Sequence, residues 1–262
     1  MKCDLHVHSN LSNDCCNSID RIVKRAKKKG IDILAITNHN EIIPPGQLKK
    51  YGNHVVLISG AEYSTDVGHV LAIFCEKHIE SYGVRKNAKG VYDHQEVIRA
   101  IHEMDGIAIY AHPFGRVINP SQDILKRFDG IEVYNSRSGY KLKGKANLLA
   151  QKAVLNHQYQ TAGSDAHLLY EIGKSYVELN LANKNFTKEE FLEALKTGEL
   201  FSRPTSAVAS SISQMYKAVC LKMPKLFLKN ILKFIYGIAT ILFPFLFQIK
   251  PCRKIGNQND TL

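Results

Sequence analysis

Over roughly the first two hundred residues, short apolar runs alternate with longer stretches whose apolar residues recur at three- and four-residue spacing. That rhythm constrains the fold more than any other feature. Apolar runs at 3–7, 31–37, 55–59, 69–75, 106–110, 130–134, 159–162 and 176–181 read as strands. Helical patterns at 19–29, 93–104, 146–157 and 188–195 fall between several of them. The first helix follows Asn17-Ser18 and stops at Gly30, an N-cap and a glycine stop. Repeated strand–helix units predict an α/β fold with a parallel sheet, open or closed into a barrel. The polar residues of interest sit at strand ends, the rim on which closed α/β barrels build their chemistry.

A chain of 262 residues suits one large domain, or one domain with an appendage. With 45% hydrophobic and 23% charged residues, whole-chain disorder, collagen-like repeats and a multi-span membrane protein are poor fits. The six cysteines (Cys3, Cys15, Cys16, Cys75, Cys220 and Cys252) form no CxxC pair, and no hydrophobic export segment opens the sequence. Reduced thiols and a cytoplasmic location are therefore expected. The net charge of +11 is unevenly spread. From Lys217 onward eight basic residues face one acid, Asp260, so +7 of it belongs to the C-terminal part. This argues against general nucleic-acid binding, and no specific DNA-binding motif is present.

In Asp4-Leu5-His6-Val7-His8-Ser9 two histidines lie two residues apart on a strand, and period-two alternation sends both imidazoles to one face. Alone, that pair reads equally well as surface histidines. Ligand-type residues then recur at later strand ends: His39, Glu62, His69, His112, Asp165 and His167. Six of the eleven histidines thus share strand-end positions with two acids. Imidazole and carboxylate without thiolate suit Zn²⁺, Mn²⁺ or Fe²⁺. So many donors exceed the need of one ion, and a cluster of two or three divalent ions is expected. Such clusters clamp phosphoryl groups in phosphoester hydrolysis.

The segments DLHVHS, TNHN, GAEYS, GHVLAIF, AHPFGR and GSDAH, in this order from His6 to His167, resemble the PHP domain, named from polymerase and histidinol phosphatase. The similarity extends to about Arg203. The resemblance implies a distorted (β/α)₇ barrel with a trinuclear metal centre at its C-terminal rim, and the sequence adds a short basic, apolar tail. It implies that His6, His8, Glu62 and Asp165 hold one ion. Glu62 would bridge to a second, completed by His69 and His112, while Asp14, His39 and His167 would hold a third. Asp14 is assigned on Ser12-Asn13-Asp14, where a plain turn aspartate is the alternative, as a capping role is for His69. Where the family usually has Thr-Asp-His-Asn, this chain has Thr37-Asn38-His39-Asn40, so altered metal preference or slower turnover is expected. Arg116, four residues after His112, is a candidate phosphate contact, and Asn135 a candidate pocket residue.

The expected activity is metal-dependent hydrolysis of a phosphate ester, with Glu62, Asp165 and Arg116 as catalytic candidates. Nucleotides, oligonucleotide ends and small phosphomonoesters all fit as substrates. The rivals are a non-catalytic metal-binding module and a membrane-tethered interaction protein. Residues 1–206 are expected to form the catalytic domain and 207–262 the tail. Within the tail an uncharged apolar run at 234–249, interrupted by Pro244, follows a lysine-rich segment at 222–229. Sixteen residues are short for a spanning helix, which needs roughly twenty. The composition suits an anionic membrane surface, which would place the protein at or near the inner face of the membrane, the alternative being a helix packed on the barrel or at a dimer contact.

Overall fold

The computed structural model describes residues 1–51, 54–115, 120–139 and 145–242. Nine strands form one sheet: β1 (Lys2–Val7), β2 (Ile33–His39), β3 (Val56–Thr65), β4 (Gly68–Ile73), β5 (Ile107–Ala111), β6 (Gly130–Asn135), β7 (Tyr159–Gly163), β8 (Ser175–Glu178) and β9 (Glu199–Ser202). Their order is β7-β6-β5-β4-β3-β2-β1-β8-β9. The end of β1 also bonds to the segment after β7. His8 N donates to Ala166 O (3.0 Å) and Ala166 N to His6 O (3.3 Å), so the sheet curls into a nearly closed, distorted barrel.

The expected parallel pairing holds for β1–β2, β2–β3, β5–β6 and β6–β7. Strand β4 breaks it, pairing antiparallel with both β3 and β5. The reason is local. Thr65 pairs with Gly68 across Asp66-Val67, a two-residue connection too short for a crossover helix. Strand β3 therefore runs well past residue 59, and Glu62 lies within it, opposite Leu71. The short β9, Glu-Leu-Phe-Ser, carries only two apolar residues and so presents no apolar run to read as a strand.

Helix α1 (Ile19–Lys29) ends as expected at Gly30, whose φ of 67° is left-handed. Its Ile19, Ile22 and Ala26 pack on Leu34 and Ile36. The short α2 (Pro45–Leu48) precedes β3. Helix α3 (His94–Glu103) is capped by Asp93, which accepts from the Gln95 and Glu96 amides. After the single turn α4 (Gln122–Leu125) comes α5 (Ala146–Ala153), and α3 and α5 cover the β4–β6 face. Helix α6 (Lys188–Lys196) opens with a Thr187/Glu190 capping box and packs Phe191 and Leu195 under the barrel interior. The interior itself gathers Leu5, Ile33, Ile58, Leu71, Ile109 and Ala162 from six strands. Fully burying the leucine and isoleucine side chains among them contributes about 1.5–3 kcal/mol each.

Residue 206, the expected domain boundary, is the N-cap of α7 (Ala207–Cys220). Helix α8 (Pro224–Leu242) follows and holds the start of the apolar run at 234–249, whose remainder lies outside the described residues. Among the described residues no helix is long and apolar enough to cross a membrane.

Candidate metal centre

Alternation along β2, β3 and β4 puts Ile33, Ala35, Ile58, Leu71 and Ile73 inside the barrel. His39, Glu62 and His69 lie an even number of residues along and emerge on the same face at the rim. Other candidates are out of phase and are turned inward by local breaks. On β1, Leu5 belongs to the interior, yet a bulge between Asp4 and Val7 brings His6 and then His8 to the same side. A second bulge lies between Glu132 and Tyr134 on β6. His112 and Asp165 follow β5 and β7 with φ of 30° and 54°, left-handed values that redirect their side chains. Non-glycine residues in this region store strain, and such strain clusters at functional sites. Gly163 lets β7 approach β1, because a Cβ there would lie 2.4 Å from His6 Cβ and 2.5 Å from Glu132 Oε1.

The structure brings all nine candidate ligands together. Glu62 is the hub: its Oε1 meets His69 Nδ1 (2.5 Å) and His112 Nε2 (2.9 Å). Its Oε2 lies 2.8 Å from His39 Nδ1, 3.4 Å from His8 Nε2 and 3.6 Å from His6 Nε2. Asp165 Oδ1 lies 3.3 Å from His8 Nε2 and 3.7 Å from His6 Nε2. Asp14 reaches His39 Nε2 at 3.3 Å and His167 Nε2 at 3.2 Å. All nine are at least four-fifths buried.

Three imidazoles are oriented from behind. His6 Nδ1 donates to Glu132 Oε1 (2.9 Å) and His167 Nδ1 to the Asp165 carbonyl (2.9 Å). Ser12 Oγ donates to Asn38 Oδ1 (3.2 Å), leaving its lone pairs for His8 Nδ1 (3.1 Å) and the His39 amide (3.0 Å). Each of these contacts places a proton on Nδ1 and aims Nε2 into the centre, the orientation a metal-binding histidine adopts. His6 Nε2, His8 Nε2, Asp14 Oδ1 and Glu62 Oε2 are buried and, although other site atoms stand close to them, none makes an aligned hydrogen bond. Burying such atoms unpaired is costly, and a bound cation removes the cost. Donor atoms of His8, His39 and His167, of His6, His8 and Asp165, and of Glu62, His69 and His112 each lie within 4.8 Å of one another. This donor set fits divalent ions.

Charges within the cluster act on one another: burial would lower His6, but Glu132, Asp165 and Glu62 hold it well above an ordinary histidine. Burial alone would raise the Glu62 carboxyl, but the imidazoles of His69, His39 and His6 outweigh it and hold the group well below the usual carboxylate range. Asp165 is likewise held low against burial, by His6, His8 and His167. His8 goes the other way: burial, then the neighbouring His167 and His39, push it well below an ordinary histidine, so it stays neutral.

Some contributors were not legible in the sequence. Glu132 holds His6, accepts from the His112 amide (2.9 Å) and from Asn135 Nδ2 (3.0 Å). Asn135, the candidate pocket residue, also donates to Asp165 Oδ2 (3.3 Å). Arg137 and Glu171 form a buried pair through two bonds (3.1 and 2.8 Å), and Glu171 Oε2 accepts from the His167 and Leu168 amides. Breaking a buried pair of this kind costs about 3–5 kcal/mol. Arg137 also donates to Ser213 Oγ on α7 (2.9 Å), and one turn further Lys217 Nζ stands 3.8 Å from Asp14 Oδ2. An acid inside an otherwise apolar run, Glu132, was a usable signal. Nothing local marked Arg137, Glu171 or Lys217. Arg116 lies outside the described residues.

Residues 4–182, more than half of the chain, match the PHP domain. An uncharacterized protein of Methanocaldococcus jannaschii is 32% identical over 178 residues, covering 62% of this chain and 96% of that one. A second from the same organism is 28% identical over 210 residues, covering 75% and 79%. Among solved structures, PsfC from Pseudomonas syringae superposes with a TM-score of 0.56 at 18% identity, covering 85% of this chain and 98% of that one. A two-domain Bacteroides vulgatus protein containing a predicted PHP-like metal-dependent phosphoesterase gives 0.54 at 19% identity. That match covers 78% of this chain but 65% of the other, just under two thirds of its length. These likenesses show the fold. Together with the matched span and the rim of histidines and carboxylates, they lead to one conclusion: the chain belongs to the PHP domain family.

Proposed function

We propose that the protein is a metal-dependent hydrolase of phosphate esters. The observation that carries this reading is the convergence of inward-facing Nε2 atoms of His6, His8 and His167 on the carboxylates of Glu62, Asp165 and Asp14. In this proposal His6, His8, Glu62 and Asp165 hold one ion, and Glu62 reaches a second with His69 and His112. Asp14, His39 and His167 hold a third. Bound Zn²⁺, Mn²⁺ or Fe²⁺ supplies Lewis acidity and a water acidic enough to act near neutral pH.

The protein's own groups orient the reaction. Glu132, Ser12 and the Asp165 carbonyl fix three imidazole orientations before substrate arrives, which keeps reorganisation small. Asn135 holds Glu132 and Asp165 in one arrangement. Lys217, 29% exposed beside Asp14, offers an ammonium to a phosphoryl oxygen entering from solvent. The segment between β4 and α3 holds only a 3₁₀ turn at Ile79–Tyr82, without a helical lid among the described residues. An open mouth suits a nucleotide, an oligonucleotide end or a small phosphomonoester.

The test is phosphate or alcohol release from a panel of mono- and diesters by protein reconstituted separately with Zn²⁺, Mn²⁺ and Fe²⁺. Release that a chelator stops and metal restores supports the reading. A fully loaded protein inert towards the whole panel favours a non-catalytic metal-binding module.

A further inference from the structure

Helix α8 has three sides. At 100° per residue, Phe227, Asn230, Phe234 and Gly237 lie on the side that meets α7, where a Cβ on Gly237 would come within 2.9 Å of Val208 Cγ2. Leu228, Leu232, Ile235 and Leu242 form a second side within an arc of about 80°. They are 62, 69, 57 and 63% exposed. Lys225, Lys229 and Lys233 occupy the arc beside them, all exposed, with Lys222 just before the helix. No acid occurs anywhere between residues 207 and 242.

An apolar stripe this long rarely stands open to water on a monomer. We propose that it docks on the surface of an anionic lipid bilayer, α8 lying in the plane of the interface. The leucine and isoleucine side chains enter the acyl boundary while the lysines reach the headgroup phosphates. Charge decides between this partner and a second copy of the chain. A two-fold contact would set the same lysine row beside its equal, with no acid on either helix to pair it. An anionic bilayer supplies that missing charge along the whole row. Helix α7 ties this surface to the metal centre through Ser213 and Lys217, so docking holds the active-site mouth close to the membrane.

The experiment is co-sedimentation of the full chain with phosphatidylglycerol-rich vesicles and with pure phosphatidylcholine vesicles. The intact protein should bind the anionic vesicles at least tenfold more tightly. Leu228→Glu/Leu232→Glu should abolish binding to both, with an unchanged circular dichroism spectrum because both side chains are exposed. Lys225→Gln/Lys229→Gln/Lys233→Gln should erase the preference, roughly fivefold per lysine and on the order of a hundredfold together. If the leucine variant unfolds, the lysine variant still decides the matter. The proposal is overturned if the intact chain binds neither vesicle or both equally, or if the variants bind as the intact chain does. It is equally overturned if sedimentation velocity reveals a lipid-free dimer that Leu232→Glu splits.

Discussion

The two sides of the rim hold their histidines in different ways. On the β1–β7 side, His6, His8 and His167 are pinned through Nδ1 by Glu132, Ser12 and a main-chain carbonyl, so their inner nitrogens are placed independently of one another. On the β2–β5 side, His39, His69 and His112 all meet Glu62. One side has three separate supports, and the other has one support shared three ways. The lesson is that a single carboxylate meets the rings of three histidines, whereas each outer partner bonds to one ring.

The sharpest way to break that asymmetry is Glu62→Gln. The amide keeps the shape but removes the charge that three imidazoles share. Metal content should fall on both sides of the residue, and turnover by at least about a thousandfold. Circular dichroism should remain that of the barrel, since the interior cluster does not include Glu62. Glu132→Gln comes next. It weakens the acceptor of His6 Nδ1 and of the His112 amide but leaves Glu62 in place, so metal affinity or turnover should drop by about 10–100-fold, as read by titration of the chelated protein with Zn²⁺.

Much of this contrast follows from how far each ligand's placement was legible in the sequence. His39, Glu62 and His69 obey plain alternation from their strands' interior residues, so their shared face could be read directly. His6 and His8 share a face by the same rule, but that this face is the inner one depends on a bulge set by pairing with β2. His112 and Asp165 were marked by their places after strands and by motif, not by alternation. Their directions come from left-handed backbone that no spacing rule supplies. Glu132 faces His6 through a strand pairing between distant segments, and Gly163 makes room for both. Arg137, Glu171 and Lys217 meet across the junction of the barrel with α7, a contact set by tertiary packing between segments far apart in the chain.

Lys217 gives a smaller, more selective effect. Lys217→Gln should leave metal content unchanged and raise KM for a phosphomonoester about three- to tenfold, with kcat altered less. A loss of metal in this variant would show instead that the lysine supports Asp14. The smallest effect belongs to Asn38. Its Oδ1 already accepts from Ser9 N (2.7 Å), Ser9 Oγ (3.0 Å) and Ser12 Oγ (3.2 Å), while Nδ2 is buried without a partner. Asn38→Asp keeps the three bonds, replaces the unpaired amide and adds negative charge behind Ser12. Metal affinity should rise by a few-fold, up to about tenfold. No change would show that this position does not act on the site.

The asymmetry itself is tested most directly by counting ions. Wild type, Glu62→Gln and Glu132→Gln would be stripped with chelator, reloaded with Zn²⁺ or Mn²⁺, desalted and assayed by elemental analysis per folded chain. The account predicts two or three ions in the wild type and the loss of at least two in Glu62→Gln. It predicts a full count at saturation, with weakened affinity, in Glu132→Gln. Equal counts in wild type and Glu62→Gln, or an equal loss in both variants, would contradict it.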